Sequence, residues 1–258
     1  MKAGWFTLSV LLCTGLVVSV HAGEVLRIGH TTLSANTNAG GTNVDSGLYG
    51  AAMDASNGFA YFIGNYVSKV NLASNLPVQI GPGLAANHAL QTAIDPAAGR
   101  LYLPRGTVLR FALGAGTNVM SSAGSPLTPS FGSAAEMLID DSDPNPANHY
   151  GYLLCTSAGV PARVAKVALS TFTELNSIPL AANESNFLFY AQADVAKGYG
   201  YFVTTGGNTN AVPTVVKIKF TPGTNAPVRI GAANLDATNA FVGGSAIDTL
   251  HGYPSDFG

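Results

Sequence analysis

Charge is scarce in this sequence of 258 residues. Only 10% of the residues are charged, and 12 Lys and Arg residues nearly balance 14 Asp and Glu residues. Because nucleic acids and anionic membranes are bound through clustered basic residues, this composition excludes a nucleic-acid-binding protein. Hydrophobic residues make up 47% of the chain, which is far above the content of disordered chains. The composition therefore indicates a folded protein with a substantial apolar core.

Familiar catalytic motifs are also missing. The sequence contains no Gly-x-Ser-x-Gly, no His-Glu-x-x-His and no Walker loop. Cys155 lies in the apolar run 152–155 and is expected to be a buried, unreactive thiol. The histidines beyond the N-terminal segment show no paired spacing, and each is expected to be a loop residue rather than a ligand: His30, His88, His149 and His251.

The first 22 residues are predicted to be a signal peptide. Lys2 supplies a positive charge, residues 5–20 form an apolar run, and Val20-His21-Ala22 resembles a signal-peptidase site. The run is shorter than the roughly 20 apolar residues of a membrane-spanning helix, so we expect cleavage rather than a retained anchor. The mature chain is therefore expected in an extracellular or periplasmic space, without a membrane span. Cleavage removes Cys13 together with the signal peptide, so Cys155 has no partner for an internal disulfide in the mature chain.

A repeated motif organises the rest of the chain. An apolar residue, Asp, three variable residues, Gly and an aromatic or apolar strand recur along it. Asp caps backbone N–H groups in turns and Gly tolerates a positive φ, so each copy predicts a β-hairpin. The copies lie 41, 45, 54 and 54 residues apart, the third with an insertion, at Asp54, Asp95, Asp140, Asp194 and Asp248.

A second repeated strand follows each complete copy. It alternates with a period of two and carries a basic residue at one position, namely Lys69, Arg110, Lys166 and Lys217. We expect these side chains to lie on a sheet face between blades with solvated charges, or to pair with a neighbouring carboxylate; an anion-binding ring is the alternative. A strand led by Pro77 or Pro227 closes two copies, and Pro suits a sheet edge because it has no N–H to donate.

Each copy thus predicts four short antiparallel strands, and such units at this spacing are typical of β-propeller blades. The fold class is predicted to be all-β, with a β-propeller domain over residues 23–258. Its four complete blades and partial fifth are expected near residues 48–89, 90–133, 134–187, 188–243 and 244–258. A β-sandwich is the main alternative, but it does not require the same aromatic and basic positions to recur.

The two ends of the sequence bear on ring closure. Residues 25–29 match the outer strand at 228–231 and are predicted to complete the last blade. Only ten residues follow Asp248, so we expect an incomplete ring, because the sequence is a fragment of a longer protein or because another chain closes it. A natural open fan of five units is the alternative. Open blade edges favour self-association.

The two motifs together, Asp-x-x-x-Gly-x-x-Tyr-Phe and Val-x-Lys-Val-x-Leu, resemble the YVTN-type and NHL-type repeats of secreted bacterial propellers over residues 48–253. Tyr-Phe stands here where those repeats have their YVTN tetrapeptide. The resemblance implies the fold and an extracytoplasmic location. It implies no particular chemistry, because propellers carry enzymes, binding proteins and scaffolds alike.

Propellers usually bind ligands through the loops between second and third strands and between blades. Here these loops are poor in charge and rich in Asn, Thr and Gly, which suits a glycan or protein partner. The candidate ligand-binding residues are Asn65, His88, Arg105 and Asn186. We expect a non-catalytic binding or scaffold module of a larger secreted or cell-surface protein, without a cofactor. The alternative is a lactonase-like hydrolase, which needs acidic or His side chains to converge at the channel, and the residues that test it are Asp45, His88, Glu136 and Glu184.

One acidic cluster is a candidate metal site. Asp141, Asp143 and Asn145 have the alternating spacing with which oxygen ligands converge on Ca²⁺. Pro146 and Tyr152 stand where an EF-hand loop has Gly and Glu, so a long hairpin loop rich in turn-forming residues is the favoured interpretation.

Expressed with its own leader in a secreting bacterial host, the mature protein is expected to begin at Gly23, because signal peptidase cleaves after small residues such as Ala22. Intact-mass measurement of the protein recovered outside the cytoplasm checks this. A full-length mass that begins at Met1, found only in the cytoplasmic fraction, would contradict the predicted leader.

Overall fold

The computed structural model of the chain describes residues 8–12, 16–20, 48–73, 76–86, 91–205, 212–235, 246–248 and 253–255. Strands dominate these ranges, and the only helical segments in them are two 3-10 turns, Pro146–Asn148 and Val195–Lys197. Within the same ranges, no helix has the length and apolar character needed to cross a membrane.

The strands form antiparallel sheets in which neighbours in sequence are neighbours in space. The N-terminal hairpin and the first two blades consist of β1 (Leu8–Leu12) and β2 (Leu16–Val20); β3 (Gly50–Asp54), β4 (Phe59–Ile63), β5 (Tyr66–Asn71) and β6 (Val78–Ala85); β7 (Ala93–Asp95), β8 (Arg100–Arg105), β9 (Thr107–Ala112) and β10 (Ser121–Ser122).

The third and fourth blades follow in the same order, and a two-stranded hairpin comes after them. They consist of β11 (Ser133–Asp140), β12 (Tyr150–Thr156), β13 (Arg163–Ala168) and β14 (Thr173–Pro179); β15 (Asn186–Asp194), β16 (Tyr199–Thr205), β17 (Thr214–Lys219) and β18 (Val228–Asn234); β19 (Ala246–Asp248) and β20 (Tyr253–Ser255).

The first strands of the blades lie side by side. β3 contacts β7, β7 contacts β11, β11 contacts β15, and β15 contacts β19. Since each sheet keeps its sequence order, the first strand of every blade is innermost and the fourth is outermost. This radial arrangement is a β-propeller, which confirms the predicted fold class and excludes the sandwich. The β19–β20 hairpin occupies the place of the two inner strands of a fifth blade.

Apolar side chains fill the spaces between blades rather than one central core. Both faces of an inner blade are therefore buried, which explains why strands such as Phe59–Ile63 are almost continuously apolar. Each interface has its own cluster: Ile63, Leu101 and Leu103 between the first and second blades; Tyr102, Leu153 and Val167 between the second and third; Leu154, Val164 and Phe202 between the third and fourth. Cys155 belongs to the second cluster, which confirms the predicted burial of this cysteine, and burial raises the pKa of its thiol to about 12.

The repeated Asp and Gly residues close the first hairpin of a blade in the predicted way. Asp54 accepts hydrogen bonds from the backbone N–H of Asn57 at 3.1 Å and from its side-chain amide at 2.8 Å. Asp95 and Asp194 each accept a bond from the backbone N–H three residues later. The glycines that follow, Gly58, Gly99 and Gly198, have φ of 72°, 63° and 72°. Residues with a Cβ rarely adopt this left-handed conformation, so the turn requires glycine.

The repeated basic residues connect one blade to the next. The ammonium of Lys69, on β5, donates to the carbonyls of Leu113 (3.0 Å) and Gly114 (2.7 Å), in the turn after the third strand of the second blade. The same ammonium also donates to the carbonyls of Gly116 (2.6 Å) and Asn118 (3.2 Å).

Two further interfaces repeat this contact. Arg110 on β9 donates to the Leu169 carbonyl at 3.5 Å, and Lys166 on β13 donates to the Thr221 carbonyl. Each acceptor lies one or two residues after the third strand of the next blade. Each cation also lies over an aromatic ring, as the ammonium of Lys166 does at 3.9 Å from the centre of Tyr150. We call this arrangement the interblade cation contact.

The basic side chains lie between blades, as expected, but the expectation of a solvated charge or a carboxylate partner is wrong for Lys69 and Lys166. The side chains of Lys69 and Lys166 are fully buried, so their ammonium groups are not solvated. Their hydrogen-bond acceptors among the described residues are oxygens of the neighbouring blade's turn rather than carboxylates. Because these oxygens satisfy the buried ammonium groups, the two lysines are not available to form an anion-binding ring.

Replacing Lys69 by Met is expected to lower the free energy of unfolding by about 3 kcal/mol, because several buried carbonyls lose their charged donor. Urea unfolding followed by circular dichroism measures this. Lys219→Met, which removes the same charge from an exposed position on β17, serves as the matched control and is expected to change stability by less than about 0.5 kcal/mol. Equal effects of the two substitutions would contradict the role given to the buried contact.

Candidate functional site: the central channel

A cavity of about 500 Å³ lies between the inner strands. Its walls come from β3, β7, β11 and β15, so all four complete blades contribute to it. The lining includes apolar residues such as Met137 and Ile139 and these residues with polar side chains: Tyr49, Gln91, Thr92, Asp141, Tyr190 and Gln192. Asp141 is the one charged residue in this lining, and none of the lining residues in the described ranges is Lys or Arg.

The lining residues occupy equivalent positions in the repeat. The residues four positions before the repeated Asp are Gly50, Gln91, Glu136 and Tyr190. Three of them line the cavity, and Thr92 and Gln192 lie three and two positions before their Asp. The sequence motifs did not point to Tyr49, Gln91, Thr92, Tyr190 or Gln192, although aligning the copies on the repeated Asp would have found most of them.

Glu136, on β11 of the third blade, is a buried acid beside the channel. A bulge in the pairing of β11 with β12 falls at this position, and the side chain is fully buried. Neither carboxyl oxygen has a hydrogen-bond partner among the described residues. Burial raises the pKa of Glu136 well above its ordinary value, and the nearby backbone N–H of Tyr190 lowers it only in part. Glu136 is therefore held toward its neutral, protonated form.

The inserted loop of the third blade is anchored by a buried ion pair. Nδ1 of His149 lies 2.7 Å from a carboxylate oxygen of Asp95 in the second blade, and Nε2 lies 2.7 Å from the Asp143 carbonyl. Burial lowers the pKa of His149, but the hydrogen bonds to Asp95 and Asp143 outweigh it, and the pKa is raised. His149 is a loop residue, as expected, between the turn Pro146–Asn148 and β12, but its ring also forms this buried contact between blades. No sequence signal indicates this pair, because 54 residues separate its members.

The predicted calcium ligands lie in this loop. Asp141 is exposed and lines the channel. The carboxylate of Asp143 accepts bonds from the Asn145 backbone N–H (2.8 Å) and the Asn148 amide (2.9 Å), and the Asn145 side chain caps the turn Pro146–Asn148. In the described part of the chain, no three His, Cys, Asp or Glu residues lie close enough to hold a metal ion. Calcium binding at these residues stays a prediction.

The predicted ligand-binding residues lie at the end of the blades opposite the Asp hairpins. Asn65 lies between β4 and β5, where its carbonyl accepts a bond from the Ala86 N–H at 2.8 Å. Arg105 ends β8 and is exposed, and Asn186 begins β15. His88 lies outside the described residues. Antiparallel pairing brings these positions to one face, but nothing in the described contacts brings their side chains together, and ligand binding by them stays a prediction.

The residues that test a hydrolase do not form one group. Glu184 is held in an ion pair with Arg229, whose guanidinium nitrogens lie 2.5 and 3.0 Å from the two carboxylate oxygens. Its charge is therefore neutralised in a structural contact between the third and fourth blades. Asp45 and His88 lie outside the described residues. Glu136 is left as the one member of this set that the described structure places on an inner strand beside the channel.

Comparisons with known proteins support the fold and no family. No protein-family model matches the chain, and no curated protein sequence matches it. Hydrazine synthase of Kuenenia stuttgartiensis is similar in structure, with a TM-score of 0.55 and 15% identity over 77% of this chain and 58% of that one. A functionally unknown protein from Desulfotomaculum acetoxidans has a TM-score of 0.55 with 10% identity, over 78% of this chain and 60% of the other.

A candidate 6-phosphogluconolactonase from Bacteroides uniformis is also similar, with a TM-score of 0.54 and 11% identity over 76% of this chain and 59% of that one. The chain therefore spans about three fifths of the length of each of these structures. At such low identity the similarity shows the propeller fold alone. Membership of the YVTN-type or NHL-type repeats stays a prediction.

The free energy of unfolding is expected to fall as the pH rises above about 6.5, the ordinary pKa of an unfolded histidine. The folded-state pKa of His149 is raised, so its contribution is complete below the unfolded pKa and is lost as the pH passes the folded one. Urea unfolding at several pH values measures this slope. His149→Gln is expected to reduce it, and the raised pKa of Glu136, which acts in the same direction, accounts for the remainder. An unchanged slope in His149→Gln would contradict the anchoring role.

Proposed function

We propose that this protein is an exported β-propeller that binds a neutral polar ligand in its central channel and catalyses no reaction. The leader predicted at residues 1–22 supports export, and the resemblance to secreted repeats supports a place in a larger surface or secreted protein. One observation carries the binding proposal: the channel lining combines several hydrogen-bonding side chains with a single charge.

The chemistry of the lining fits a glycan, which is the ligand class we favour over a protein segment. Gln91 and Gln192 are among the lining residues, and an amide side chain has both donors and an acceptor, as sugar hydroxyl groups do. The rings of Tyr49 and Tyr190 give apolar faces with polar edges, against which a sugar ring can pack. A volume of about 500 Å³ is within the range of small-ligand sites, roughly 300–1,000 Å³.

The charge of the channel disfavours an anionic ligand. Phosphate and carboxylate groups are recognised by Arg, Lys or convergent backbone N–H groups. The described lining contains Asp141 and no basic residue, so a phosphorylated ligand would meet a carboxylate without a compensating cation. Lys69 and Lys166 are engaged with oxygens between the blades and cannot supply one.

A lactonase-like hydrolase is the second candidate function. Two observations favour it: the structural similarity to a candidate 6-phosphogluconolactonase and the buried acid Glu136. A general acid or base works with a nucleophile, a metal or a second titratable group at hydrogen-bonding distance. Glu136 has no such partner among the described residues, and the described lining of the channel contains no cation of the kind that a phosphorylated lactone requires. Binding is therefore the better supported function.

Titration calorimetry with a panel of neutral oligosaccharides tests the binding site. A bound oligosaccharide is expected to lose about tenfold in affinity in Gln192→Ala, because one or two hydrogen bonds are removed. Gln79→Ala, which removes the same amide from the outer strand β6, is the matched control and is expected to bind like the unmodified protein. If no oligosaccharide binds, or if both variants lose affinity equally, the channel is not a glycan site.

The hydrolase is tested on 6-phosphogluconolactone and on unphosphorylated gluconolactone. We expect no hydrolysis above the spontaneous rate for either lactone, as measured by acid release at constant pH. Catalysed hydrolysis that disappears in Glu136→Gln would establish the second candidate and overturn the proposal of a non-catalytic protein.

A further inference from the structure

A second cavity, of about 480 Å³, lies between the first and second blades, at the end of the blades that carries the Asp hairpins. The first blade contributes Asp54 at the end of β3, and Phe59 and Tyr61 on β4. The second blade contributes its first hairpin, 96–100, and residues 112–116 at the end of β9 and in the turn after it. None of these residues lines the central channel. We call this space the interblade cleft.

The next interface shows what occupies the equivalent place in the repeat. Asp95, which is the copy of Asp54 in the second blade, lies 2.7 Å from Nδ1 of His149 in the third blade. His149 directly precedes β12, whereas the residue that directly precedes β8 is Gly99. A Cβ at Gly99 would have no atom within 4 Å. The position that carries an imidazole in the third blade therefore adjoins open space in the second.

The carboxylate of Asp54 is the acidic group of the interblade cleft. One of its oxygens accepts bonds from the Ser56 hydroxyl at 2.7 Å and from the Asn57 N–H at 3.1 Å, which close the hairpin. Among the described contacts, the other oxygen accepts only the side-chain amide of Asn57, at 2.8 Å. Asn57 is exposed, so its amide can turn toward water and leave this oxygen to a ligand. In Asp95 likewise, one oxygen holds the hairpin and the other meets His149.

The remaining walls of the cleft suit a flat ring. The ammonium of Lys69 holds the carbonyls of Gly114 and Gly116 at 2.7 and 2.6 Å, so this turn of the second blade has a fixed position. Phe59 and Tyr61 are buried aromatic residues of the first blade, and the second blade contributes small ones: Pro96, Ala97, Ala98, Ala112 and Ala115. Small residues on one side and aromatic rings on the other leave room in which a planar ring can pack.

The charges of the cleft are those of the interface that holds an imidazole. Each of the two interfaces contains one repeated Asp and one repeated cation, Lys69 in the first and Arg110 in the second. Arg100 also lines the cleft. Its neighbour Leu101 belongs to the cluster between the first and second blades, so alternation along β8 turns the Arg100 side chain toward the third blade. The same charges that accommodate an imidazole in one interface are therefore present in the other.

We propose that the interblade cleft binds a ligand that carries an imidazole ring. A ring N–H donates to Asp54, at the oxygen that Asn57 otherwise uses, and the ring packs between the aromatic residues of the first blade and the small residues of the second. The ligand thus takes the place that His149 takes in the next interface. A buried carboxylate selects a hydrogen-bond donor, and the walls select a flat group. The cleft is separate from the central channel, so this site does not depend on the proposed glycan binding.

NMR titration of the isotope-labelled whole protein with imidazole tests the proposal. Saturable shifts are expected at the backbone amides of Gly99, Gly114 and Gly116, which line the cleft. Thiazole, a flat ring of similar size without an N–H, is expected to cause no saturable shift there.

The histidine derivative N-acetylhistidine amide distinguishes two sources of the ring. If it binds more tightly than imidazole, the ligand is a histidine side chain of a peptide. If it binds equally or more weakly, the ligand is a free small molecule. Both results require a saturable shift at the cleft amides, and both support the site.

Asp54→Asn is expected to weaken imidazole binding about tenfold or more, because the charged acceptor is lost while Asn can still cap the hairpin. Asp194→Asn, which makes the same change in the equivalent hairpin of the fourth blade, is the matched control and is expected to bind normally. Asn57→Ala removes the amide that competes for the same oxygen and is expected to bind imidazole more tightly.

Two results would overturn the cleft site: no saturable shift at the cleft amides of the unmodified protein, or equal affinity of the unmodified protein and Asp54→Asn. Thermal unfolding of each variant shows whether it is folded. If Asp54→Asn does not fold, Asn57→Ala decides, since unchanged or weaker binding in that variant contradicts competition for the Asp54 oxygen.

Discussion

The structure depends on the fact that each inner blade buries both of its faces. A single sheet with two apolar faces cannot exclude water by itself, so the stability of each blade comes from its neighbours. The interblade clusters bury the apolar surface of adjacent blades, and the interblade cation contacts fix the position of one blade relative to the next. An ammonium such as that of Lys69, held by several carbonyls of one turn, allows only one position of the next blade. Apolar contact favours association, whereas the buried cation selects its register.

The channel follows from the same arrangement. Inner strands that lie side by side bring equivalent positions of each repeat to one wall, and the side chains at those positions define the chemistry of the site. Here the polar side chains among them are mainly amides and tyrosines, with Asp141 as the charge, and the other lining residues are apolar. The low charge of the whole sequence thus has a local counterpart, a cavity suited to hydrogen bonding and ring packing and poorly suited to phosphate recognition.

Two buried titratable groups show how differently this fold treats charge. His149 has an acceptor at each ring nitrogen, so its charged form is compensated and its pKa is raised. Glu136 has no partner among the described residues, so burial raises its pKa and favours the neutral acid. Both groups lower the free energy of unfolding as the pH rises. His149 does so because it loses a favourable positive charge, and Glu136 does so because it acquires an unfavourable negative charge.

The local features that recur could be predicted from the amino-acid sequence alone. These features are short-range patterns: the Asp and Gly of each hairpin, the alternating strand around Lys69 or Lys166, and the Pro-led edge strands. Their spacing along the chain was enough to predict the propeller fold. Contacts between residues that are distant in sequence could be identified only from the tertiary structure, in which the blades are packed. Asp95 meets His149 and Glu184 meets Arg229 because adjacent blades face each other, and no spacing along the chain indicates this. The lysines show the same limit: their repetition was evident, but burial beneath the next blade's turn follows from packing.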